Sequence, residues 1–537
     1  MARAFYAGVR RAGFTRSCES VILNSAIVTT AAIHTNVIPG EMPTLSPFAP
    51  ASPDDVDKRH ELGQFLTPKP VADFMASLFE IHRSEVRMLD AGAGVGALSA
   101  ALVGRLCRDP RKPKRISITA YEIDTAQIES LRARLDGCRL ECERAGISFS
   151  SAVLNEDFIA AAVPMVRGDL FTLESPRFNT AIINPPYRKI RSDSSTRLLL
   201  RSAGVEASNL YAGFVALIVR LLDKGGELVA ITPRSFCNGP YFKPFRAHFL
   251  EAMSLRRLHV FESRSAAFSR DAVLQENIIF HAVKGAPKPE QVIISISSGA
   301  SSGSVAEHEV EYREVVSPDD AEQFIHLVEG GTQASARAVM GGLSASLPKL
   351  GLAVSTGRVV DFRAREFLRQ QPERDTAPLI YPCHFNGGFV RWPKEKARKP
   401  NAIVSNEQTR ELLVPAGIYV LVKRFTAKEE RKRIVACIYD SDQIQSPFVG
   451  FENHLNYFHA NGRGLPMALA KGLAAFLNST VVDAYFRQFN GHTQVNAADL
   501  RSLNYPTKAE LEKLGRRIAD PGMPQAQLDA MVGEELF

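Results

Sequence analysis

The stretch Leu89-Asp90-Ala91-Gly92-Ala93-Gly94-Val95-Gly96-Ala97-Leu98 closes an apolar strand and opens a helix through a glycine-rich turn. Glycine lets a ligand approach the backbone closely, and open α/β sheets bind ligands in the crevice beyond the carboxyl ends of their strands. Because the same kind of turn also serves dinucleotides, this stretch alone predicts a strand–helix crossover beside a ligand crevice and leaves the ligand open.

Apolar strands and helices alternate on both sides of this turn. Helices are indicated at 70–80 and 209–222, where apolar residues recur with helical spacing. Strands are predicted at 86–91, 116–123, 147–154, 178–183 and 227–232. Because these strands are almost continuously apolar and are separated by helices, we expect an α/β fold with a doubly wound, Rossmann-like sheet. The segments 257–261 and 273–283 are expected to add a closing hairpin.

A carboxylate lies at the end of the strand that follows the glycine-rich turn. The stretch Tyr121-Glu122-Ile123-Asp124 places Glu122 where an acidic side chain can accept hydrogen bonds from ribose hydroxyls. The two motifs together indicate a cofactor that carries a nucleoside. A tight turn with an exposed carboxylate is the alternative.

The stretch Ile182-Ile183-Asn184-Pro185-Pro186-Tyr187 follows the predicted strand at 178–183. Its two prolines remove two backbone donors and fix φ twice, so that their carbonyl groups can accept hydrogen bonds in a rigid geometry. The amide oxygen of Asn184 adds an acceptor, and Tyr187 offers a flat ring. This set suits a planar group with an exocyclic NH₂, which the acceptors hold while its ring stacks on the tyrosine. A turn without function is the alternative.

The composition is that of an ordinary globular protein. The chain has 537 residues, 45% of them hydrophobic and 23% charged, so two to four domains are expected. The formal net charge of +7 allows a polyanionic partner. Seven cysteines form no paired CxxC ladder, which argues against a disulfide scaffold or a closed zinc site and favours the cytoplasm. No uncharged apolar run reaches the roughly 18 residues that span a bilayer.

Changes in composition divide the chain into three parts. Residues 1–55 are expected to be a disordered extension or linker, with a transit peptide as the weaker alternative. Residues 56–285 contain the alternating pattern. Residues 286–537 begin near a loop rich in Ser and Gly and carry scattered strands and helical windows near 465–490 and 507–535, which favours an α+β domain.

The order of these motifs resembles that of the amino-group DNA methyltransferases, and most of all the adenine-N6 methyltransferases of type II restriction–modification systems. The resemblance covers residues 60–285, and the segment 486–496 resembles the C-terminal part of their target-recognition domains. It implies a catalytic domain at 56–285 and a DNA target-recognition domain at 286–537. It also implies S-adenosylmethionine as cofactor, double-stranded DNA as substrate and a separate restriction endonuclease as functional partner.

The resemblance also implies which residues bind the cofactor. They are Thr67, Asp90, Gly92, Gly94, Glu122, Asp157 and Phe158. Thr67, in the segment 63–68, would contact the methionine moiety. Asp90 and the two glycines would surround the methionine and the ribose, and Glu122 would bind the ribose hydroxyls.

The adenine of the cofactor is assigned to the stretch Asn155-Glu156-Asp157-Phe158. Asp157 would accept a hydrogen bond from the adenine amine, and Phe158 would pack on the adenine ring. Asp169, in the chemically similar segment 168–171, is the alternative to Asp157.

By the same resemblance, the catalytic residues that hold the target base are Asn184, Pro185, Pro186 and Tyr187. Acceptors on Asn184 and on the Pro185 carbonyl would orient the two N–H bonds and direct the nitrogen lone pair at the methyl carbon. This is positioning plus electrostatic stabilisation, without a strong general base. Within a duplex the base must first leave the stack. The segment 275–277 and Phe268 are weaker candidates for contact with that base.

Basic and polar side chains near these motifs are candidates for contact with DNA. Those that follow the catalytic motif are Arg188, Lys189, Arg191, Arg197 and Arg201, which could bind phosphates, or form a solvated loop. The segment 391–433 contains 12 basic and 5 acidic residues, and its basic side chains could bind along the DNA backbone. His492, Gln494 and Asn496 could read base edges, or cap the helix that is expected to end near 490.

Other enzymes use the same chemistry, so alternatives stay open at this point. A protein glutamine methyltransferase handles another planar NH₂ group, but the roughly 250 residues that follow the catalytic domain favour a long polymer as partner. An RNA adenine methyltransferase and a cytosine-N4 DNA methyltransferase are further alternatives. A DNA-binding module with an inactive methyltransferase fold is disfavoured by the intact motifs at 90–96 and 184–187.

Overall fold

The computed structural model describes residues 67–168, 177–261, 276–297, 305–318, 320–327, 332–396, 398–426, 430–490 and 493–537. The predictions made for residues 1–55 and for the part of the segment 63–68 before Thr67 lie outside these ranges. The same holds for Asp169, Phe268, Gln275 and His492.

A nine-stranded sheet forms the first part of the described chain. Its strands are β1 (Glu85–Ala91), β2 (Arg115–Tyr121), β3 (Ser148–Leu154), β4 (Phe178–Ile183), β5 (Leu222–Pro233), β6 (Met253–Phe261), β7 (Asn277–Lys284), β8 (Gln291–Ser297) and β9 (Ala306–Glu311). They lie in the order β3-β2-β1-β4-β5-β7-β6-β8-β9. The first five are parallel, and β7 is antiparallel to both β5 and β6, so the expected hairpin is present. It does not close the sheet, because β8 and β9 continue beyond β6.

Helices cover both faces of this sheet. They are α1 (Lys69–Ser77), α2 (Ala97–Arg108), α3 (Thr125–Ala145), α4 (Phe158–Arg167), α5 (Ser195–Ser202), α6 (Leu210–Leu221), α7 (Lys243–Ala252) and α8 (Tyr312–Val315). Alternate side chains of β4 show the two layers. Ile182 packs into the core beneath α1, α2 and α3, whereas Ala181 and Ile183 pack into the core beneath α4, α6 and α7. The doubly wound α/β sheet expected from the sequence is therefore confirmed.

Two smaller sheets and a group of helices follow. The strands are β10 (Ala353–Thr356), β11 (Leu368–Arg369), β12 (Thr376–Ile380), β13 (Phe385–Asn386), β14 (Phe389–Val390), β15 (Ala402–Val404), β16 (Leu413–Pro415), β17 (Ile418–Lys423), β18 (Ala436–Asp440), β19 (Phe448–Phe451) and β20 (Leu455–His459). The sheets have the orders β10-β20-β17-β18-β14-β13 and β11-β15-β12-β19-β16. The helices are α9 (Thr332–Gly341), α10 (Ser441–Ile444), α11 (Met467–Leu477), α12 (Thr480–Phe489), α13 (Ala497–Arg501), α14 (Lys508–Arg517) and α15 (Gln525–Leu536). This part is α+β, as expected.

The six-stranded sheet is buried on both faces. Along β17, Val420 and Val422 pack into the core that includes α11 and α12, whereas Tyr419 and Leu421 pack into a second core shared with residues of the five-stranded sheet. This alternation has the period of two that a strand requires when both of its faces are covered. Of the helices in the described ranges, none is both long and apolar enough to cross a membrane.

Helices α11 and α14 approach each other closely at two glycines. A Cβ atom added at Gly472 would lie 1.8 Å from the carbonyl oxygen of Leu511, and one added at Gly515 would lie 1.7 Å from that of Ala468. Carbonyl oxygens belong to the helix backbone, so they cannot move aside as the end of a flexible side chain does. The packing of these two helices therefore depends on the absence of side chains at both positions.

We predict that Gly472→Ala forces α11 and α14 apart and lowers the free energy of unfolding by about 1–3 kcal/mol, the usual range for overpacking. Urea unfolding followed by circular dichroism measures the change. The matched control is Gly137→Ala in α3, where an added Cβ has nothing within 4 Å. That control should stabilise the helix by up to about 1 kcal/mol. Equal or greater stability of the Gly472 variant would contradict the prediction.

Candidate functional site

A crevice with a volume of about 870 Å³ opens at the carboxyl ends of β1, β2, β3 and β4. Its lining residues are Gly92, Gly94, Tyr121, Glu122, Ile123, Gln127, Glu156, Asp157, Phe158, Ile159, Asn184, Pro186, Arg188, Thr196, Leu210 and Phe214. This volume includes the solvent at the open mouth of the crevice. The crevice brings together residues from all three motifs of the sequence, which are separated by up to about 90 positions along the chain.

The glycine-rich turn forms the floor between β1 and β2. The backbone N–H groups of Gly92 and Ala93 both donate to the carbonyl oxygen of Tyr121, at 2.9 Å each. Gly92 has a φ of +77°, in the left-handed region that L side chains rarely adopt, and an added Cβ would lie 3.7 Å from the ring of Phe214. A side chain at this position would be strained and would narrow the crevice.

Glu122 is buried and held in place by the backbone around it. One carboxylate oxygen accepts from the N–H of Gly94 at 2.7 Å, and the other accepts from the N–H of Asp124 at 2.7 Å. The side chain of Asn155 donates to the carbonyl oxygen of Glu122 at 2.8 Å. Each carboxylate oxygen has two lone pairs, so this rigidly oriented group can still accept hydrogen bonds from a ligand in the crevice.

Asp90 is fully buried beneath the glycine-rich turn rather than on the surface of the crevice. Its Oδ2 accepts from the hydroxyl of Ser99 at 2.6 Å, whereas Oδ1 has no hydrogen-bond partner within the described ranges. Burial raises the pKa of Asp90 to about 7, and the negative charge of Glu122 contributes to this rise, while the Ser99 hydrogen bond opposes it. The carboxyl group therefore titrates near neutral pH.

Asp157 and Phe158 both line the crevice and begin α4. The Oδ1 atom of Asp157 accepts from the N–H groups of Ile159 at 2.8 Å and Ala160 at 3.4 Å, so the side chain is the N-cap of the helix. The ring of Phe158 is buried, with its centroid 5.0 Å from that of Phe214. The Asp157 carboxylate thus caps α4 next to the packed rings of Phe158 and Phe214.

The Asn-Pro-Pro-Tyr corner turns directly out of β4, and its Asn184 and Pro186 line the crevice. The amide nitrogen of Asn184 donates to the hydroxyl of Thr67 at 3.1 Å, and the hydroxyl of Tyr187 donates to Asn184 Oδ1 at 2.9 Å. Burial raises the pKa of Tyr187, so its phenol stays protonated and able to donate. Asn184 is therefore oriented from both sides, by Thr67 and by Tyr187.

Pro185 and Tyr187 lie behind the surface of the crevice. Pro185 is buried, and the Tyr187 side chain is 5% exposed. The Tyr187 ring meets that of Tyr211 edge-on at 6.3 Å. The open stacking face that the sequence suggested for Tyr187 is covered in this structure, and the observed role of this residue is to hold Asn184.

The basic residues after the corner occupy different surroundings. Arg188 lines the crevice, and its carbonyl oxygen accepts from the N–H of Leu210 at 2.9 Å. Lys189 and Arg191 are exposed, and Arg191 lies 3.8 Å from Asp193. Of these three residues, Arg188 lines the crevice and the other two do not.

Arg197 and Arg201 share one acidic partner, Glu206. Arg201 Nε lies 2.8 Å from a Glu206 carboxylate oxygen, and Arg197 pairs with the other oxygen. The hydrogen bond from Arg201 and the charges of both arginines lower the pKa of Glu206, whereas partial burial opposes the shift. This acidic partner partly neutralises the basic segment.

Gln494 and Asn496, expected to contact DNA, lie in the C-terminal part. Asn496 is the N-cap residue of α13, and both its backbone N–H and its side-chain amide donate to Asp499, at 2.8 and 3.4 Å. It therefore caps the start of α13, whereas the alternative left by the sequence was a cap on the helix that ends near 490, whose C-cap is Asn490. The side chain of Gln494 is half-buried, and no hydrogen bond of its carboxamide occurs within the described part of the chain.

Ile123 and Phe214 are among the crevice residues that sequence reasoning did not assign to the site. Ile123 is exposed although it is a large apolar side chain, and it directly follows Glu122. Its position beside a suspected ligand-binding carboxylate could have identified it. Phe214 belongs to the apolar stripe of α6, and nothing in that stripe distinguishes a crevice wall from an ordinary core residue.

The described ranges contain no group of three or more His, Cys, Asp or Glu side chains placed to hold a metal ion.

Comparison with known proteins finds relatives that match almost the whole chain. The family model for the Eco57I restriction-modification methylase matches residues 115–268. The chain is 46% identical over 482 residues to the type II methyltransferase M.PstI of Providencia stuartii, covering 90% of this chain and 94% of the relative. It is 43% identical over 484 residues to the type II methyltransferase M.BsuBI of Bacillus subtilis, covering 89% and 95%.

A solved structure has the same overall fold. It is the type IIL restriction-modification enzyme MmeI in complex with DNA, with a TM-score of 0.52 over 90% of this chain and 73% of that chain. At 11% sequence identity this likeness concerns the fold alone.

We predict that Asp90→Asn changes how stability depends on pH. Between about pH 4 and pH 7 the unfolded chain has Asp90 ionised while the folded chain keeps it protonated, so the folded state binds more protons. The stability associated with this group is therefore complete below about pH 4 and is lost as the pH rises through 7. Because asparagine does not titrate, the wild type should lose stability relative to the variant over this range.

Thermal unfolding at several values between pH 4 and pH 8 measures this difference. Asp136→Asn, which removes an exposed carboxylate from α3, corrects for the loss of one negative charge. A difference in melting temperature between the wild type and Asp90→Asn that is the same at every pH would contradict the prediction.

Proposed function

The chain belongs to the type II methyltransferases of restriction–modification systems, and we propose on this basis that it methylates the N6 amine of adenine in double-stranded DNA, with S-adenosylmethionine as the methyl donor. The observation that carries the proposal is the position of Asn184. It lines the same crevice as Glu122 and Gly94, so an amine held by Asn184 would lie beside a ligand held by the other two.

The residues of the crevice fit S-adenosylmethionine. Glu122 presents a rigidly held carboxylate suited to ribose hydroxyls, and Asp157 offers an acceptor for the adenine amine. Ile123, Phe158 and Phe214 supply apolar surface for the adenine ring. The glycine-rich turn leaves room for the methionine moiety. Bound there, the cofactor would supply an activated methyl group on its sulfonium.

Asn184 is the residue we assign to the target amine. Its Oδ1, which accepts from Tyr187, is the acceptor that we assign to one N–H bond of the base. The Pro185 carbonyl is assigned to the other N–H bond. Holding both bonds directs the nitrogen lone pair, and in the best model systems such positioning is worth on the order of 7–11 kcal/mol.

Access to Asn184 requires that the adenine leave the duplex, which costs a few kcal/mol. Stacking on Tyr187 would offset part of this cost, and it requires that the ring, 5% exposed here, be uncovered when DNA binds. Arg188, Lys189 and Arg191 are assigned to phosphates beside the extruded base. In this proposal residues 56–285, together with β8 and β9 of the same sheet, are the catalytic domain, and the target-recognition domain expected at 286–537 begins after β9.

The partner of a type II methyltransferase is a restriction endonuclease, and we propose that this chain protects host DNA from one. The methylated site on the DNA and the site that the endonuclease cuts would then be the same sequence. A covalent mark is needed for this role because the nuclease must distinguish host DNA from foreign DNA of identical sequence.

The deciding experiment is an incubation of the full chain with duplex DNA and S-adenosylmethionine labelled on its methyl group, followed by digestion to nucleosides. We expect the label on N6-methyladenine. Label on N4-methylcytosine would overturn the choice of base, because the two amines are chemically alike. Label on RNA or on protein glutamine, with none on DNA, would overturn the proposed substrate.

We predict that Asn184→Ala lowers the methylation rate by at least about 100-fold, the usual effect of removing one preorganised polar group from a transition state. Cofactor affinity, measured by calorimetry, should change little because Glu122 and Asp157, assigned to the ribose and the adenine, are held by backbone N–H groups and not by Asn184. Tyr187→Phe keeps the ring and removes only the hydroxyl that orients Asn184. Its rate should fall between those of the wild type and the alanine variant.

A methylation rate of Asn184→Ala close to that of the wild type would remove Asn184 from this role. A parallel loss of cofactor affinity would instead place it in the cofactor site.

A further inference from the structure

Three side chains from separate parts of the C-terminal sequence meet on one surface. Phe425 follows β17, His454 lies in the turn between β19 and β20, and Gln494 follows α12. Phe425 and Gln494 are paired across an antiparallel bridge, in which the N–H of Thr426 donates to the carbonyl oxygen of Thr493 at 3.1 Å. The ring centroids of Phe425 and His454 are 4.7 Å apart. We name these three side chains the reading surface.

The reading surface combines an apolar ring with hydrogen-bonding groups, and much of it is open. Phe425 is 42% exposed, which is unusual for so large an apolar side chain, and the His454 side chain is 45% exposed. Within the described ranges, the Gln494 carboxamide and the Nε2 atom of His454 form no hydrogen bonds. These groups are therefore able to bond to a partner.

A buried carboxylate fixes the orientation of His454. Glu452 is 1% exposed, and it accepts from the backbone N–H of His454 at 2.9 Å and from the ring Nδ1. Because Nδ1 is engaged, Nε2 on the other side of the ring points away from Glu452. The turn itself is closely packed, since a Cβ added at Gly357 would lie 2.2 Å from the carbonyl oxygen of Glu452.

Hydrogen bonds connect the reading surface to the catalytic sheet. Arg234, directly after β5 and 2% exposed, donates to the carbonyl oxygens of Arg487 at 2.7 Å and Gln488 at 2.8 Å, near the end of α12. Asn490, which ends that helix, donates from its side chain to the carbonyl oxygen of Gln494 at 3.0 Å. The reading surface is thereby held at a fixed position relative to the sheet that carries Asn184.

We propose that Phe425, His454 and Gln494 read the edges of one or two adjacent base pairs of duplex DNA, an inference that rests on the proposed function. A glutamine carboxamide matches the donor and acceptor that adenine presents in the major groove, and a phenyl ring matches the methyl group of thymine. His454 Nε2 is an acceptor for an exocyclic amine when the ring is neutral, and a donor to guanine when it is protonated.

The size and charge of the surface favour base edges over phosphates. The separation of 4.7 Å between the rings of Phe425 and His454 is comparable to the rise of about 3.4 Å per base pair, so the surface covers one or two steps. The adjacent Arg424 donates to the carbonyl oxygen of Asn453 at 3.2 Å, and its guanidinium lies over the ring of Phe425. None of the three side chains of the reading surface carries a permanent positive charge.

The test uses the full chain, S-adenosylmethionine and a pool of duplexes with randomised sequence, in which the methylated sites are identified by sequencing. The wild type should yield one consensus sequence. In His454→Ala and Gln494→Ala, the consensus should lose its preference at one or two adjacent positions, and the rate on the wild-type site should fall about 5- to 150-fold. Gln494→Glu should shift the preference at its position toward cytosine, whose amine needs an acceptor.

The matched control is His82→Ala, an exposed histidine between α1 and β1 at the opposite edge of the sheet from the crevice, which should keep the consensus and the rate. Thermal unfolding and cofactor affinity show whether each variant is folded. Should an alanine variant unfold, Gln494→Glu and His454→Gln decide the question, because both retain the size of a polar side chain.

Two results would overturn the inference. One is a consensus and rate unchanged from the wild type. The other is an equal loss on all sequences together with a weaker salt dependence, which would show a phosphate contact instead. If the wild type methylates no DNA at all, the proposed function itself fails. This failure is distinguishable from a failure of the further inference, because it is seen with the wild type alone, before any variant is tested.

Discussion

The parallel register of β1, β2, β3 and β4 is the constraint on which the crevice depends. Asp90 of β1 lies opposite Ala120 of β2, and Tyr121 lies opposite Leu154 of β3, so these strands end at the same edge of the sheet. A slip of one residue in any pair would move the side chains of that strand to the opposite face of the sheet and displace its loop. Backbone pairing therefore brings the glycine-rich turn, Glu122 and the Asn184 corner to one edge, and the hydrogen bond from the Gly94 N–H then fixes the Glu122 carboxylate.

Within this frame, the polar groups of the site are oriented before any ligand arrives. Glu122 accepts from two backbone N–H groups, and Asn184 is bonded on one side to Thr67 and on the other to Tyr187. Such groups lose little freedom on binding, so more of the interaction energy is available to the transition state. Preorganisation also has a cost, which is visible at Asp90, whose buried carboxyl group has a pKa raised to about 7.

The sequence predicted most of the first sheet because each strand is a short apolar run bounded by turn residues. The strand at 178–183 is found with those limits, and the paired segments at 257–261 and 277–283 form the expected hairpin. The sequence also predicted that the three motifs lie at one edge of the sheet, since the carboxyl ends of parallel strands lie at the same edge. It could not predict that Tyr187 is covered by Tyr211, or that Arg433, within a basic segment, is buried and bonded to Asn490. These contacts join residues 24 to 57 positions apart, and neither local spacing nor composition encodes them.

The linkage between the two parts of the chain suggests how recognition and transfer are coupled. Arg234 bonds on one side to Glu276, at 3.2 Å, and on the other to the carbonyl oxygens near the end of α12. A guanidinium with five donors can satisfy acceptors from both parts at once, whereas an ammonium cannot match this planar geometry. Because Arg234 is buried, breaking these bonds would leave a charge without partners, which is strongly unfavourable. The two parts are therefore expected to move as one unit. Under the proposed function, contacts made at a distance from Asn184 would offset the cost of extruding the base.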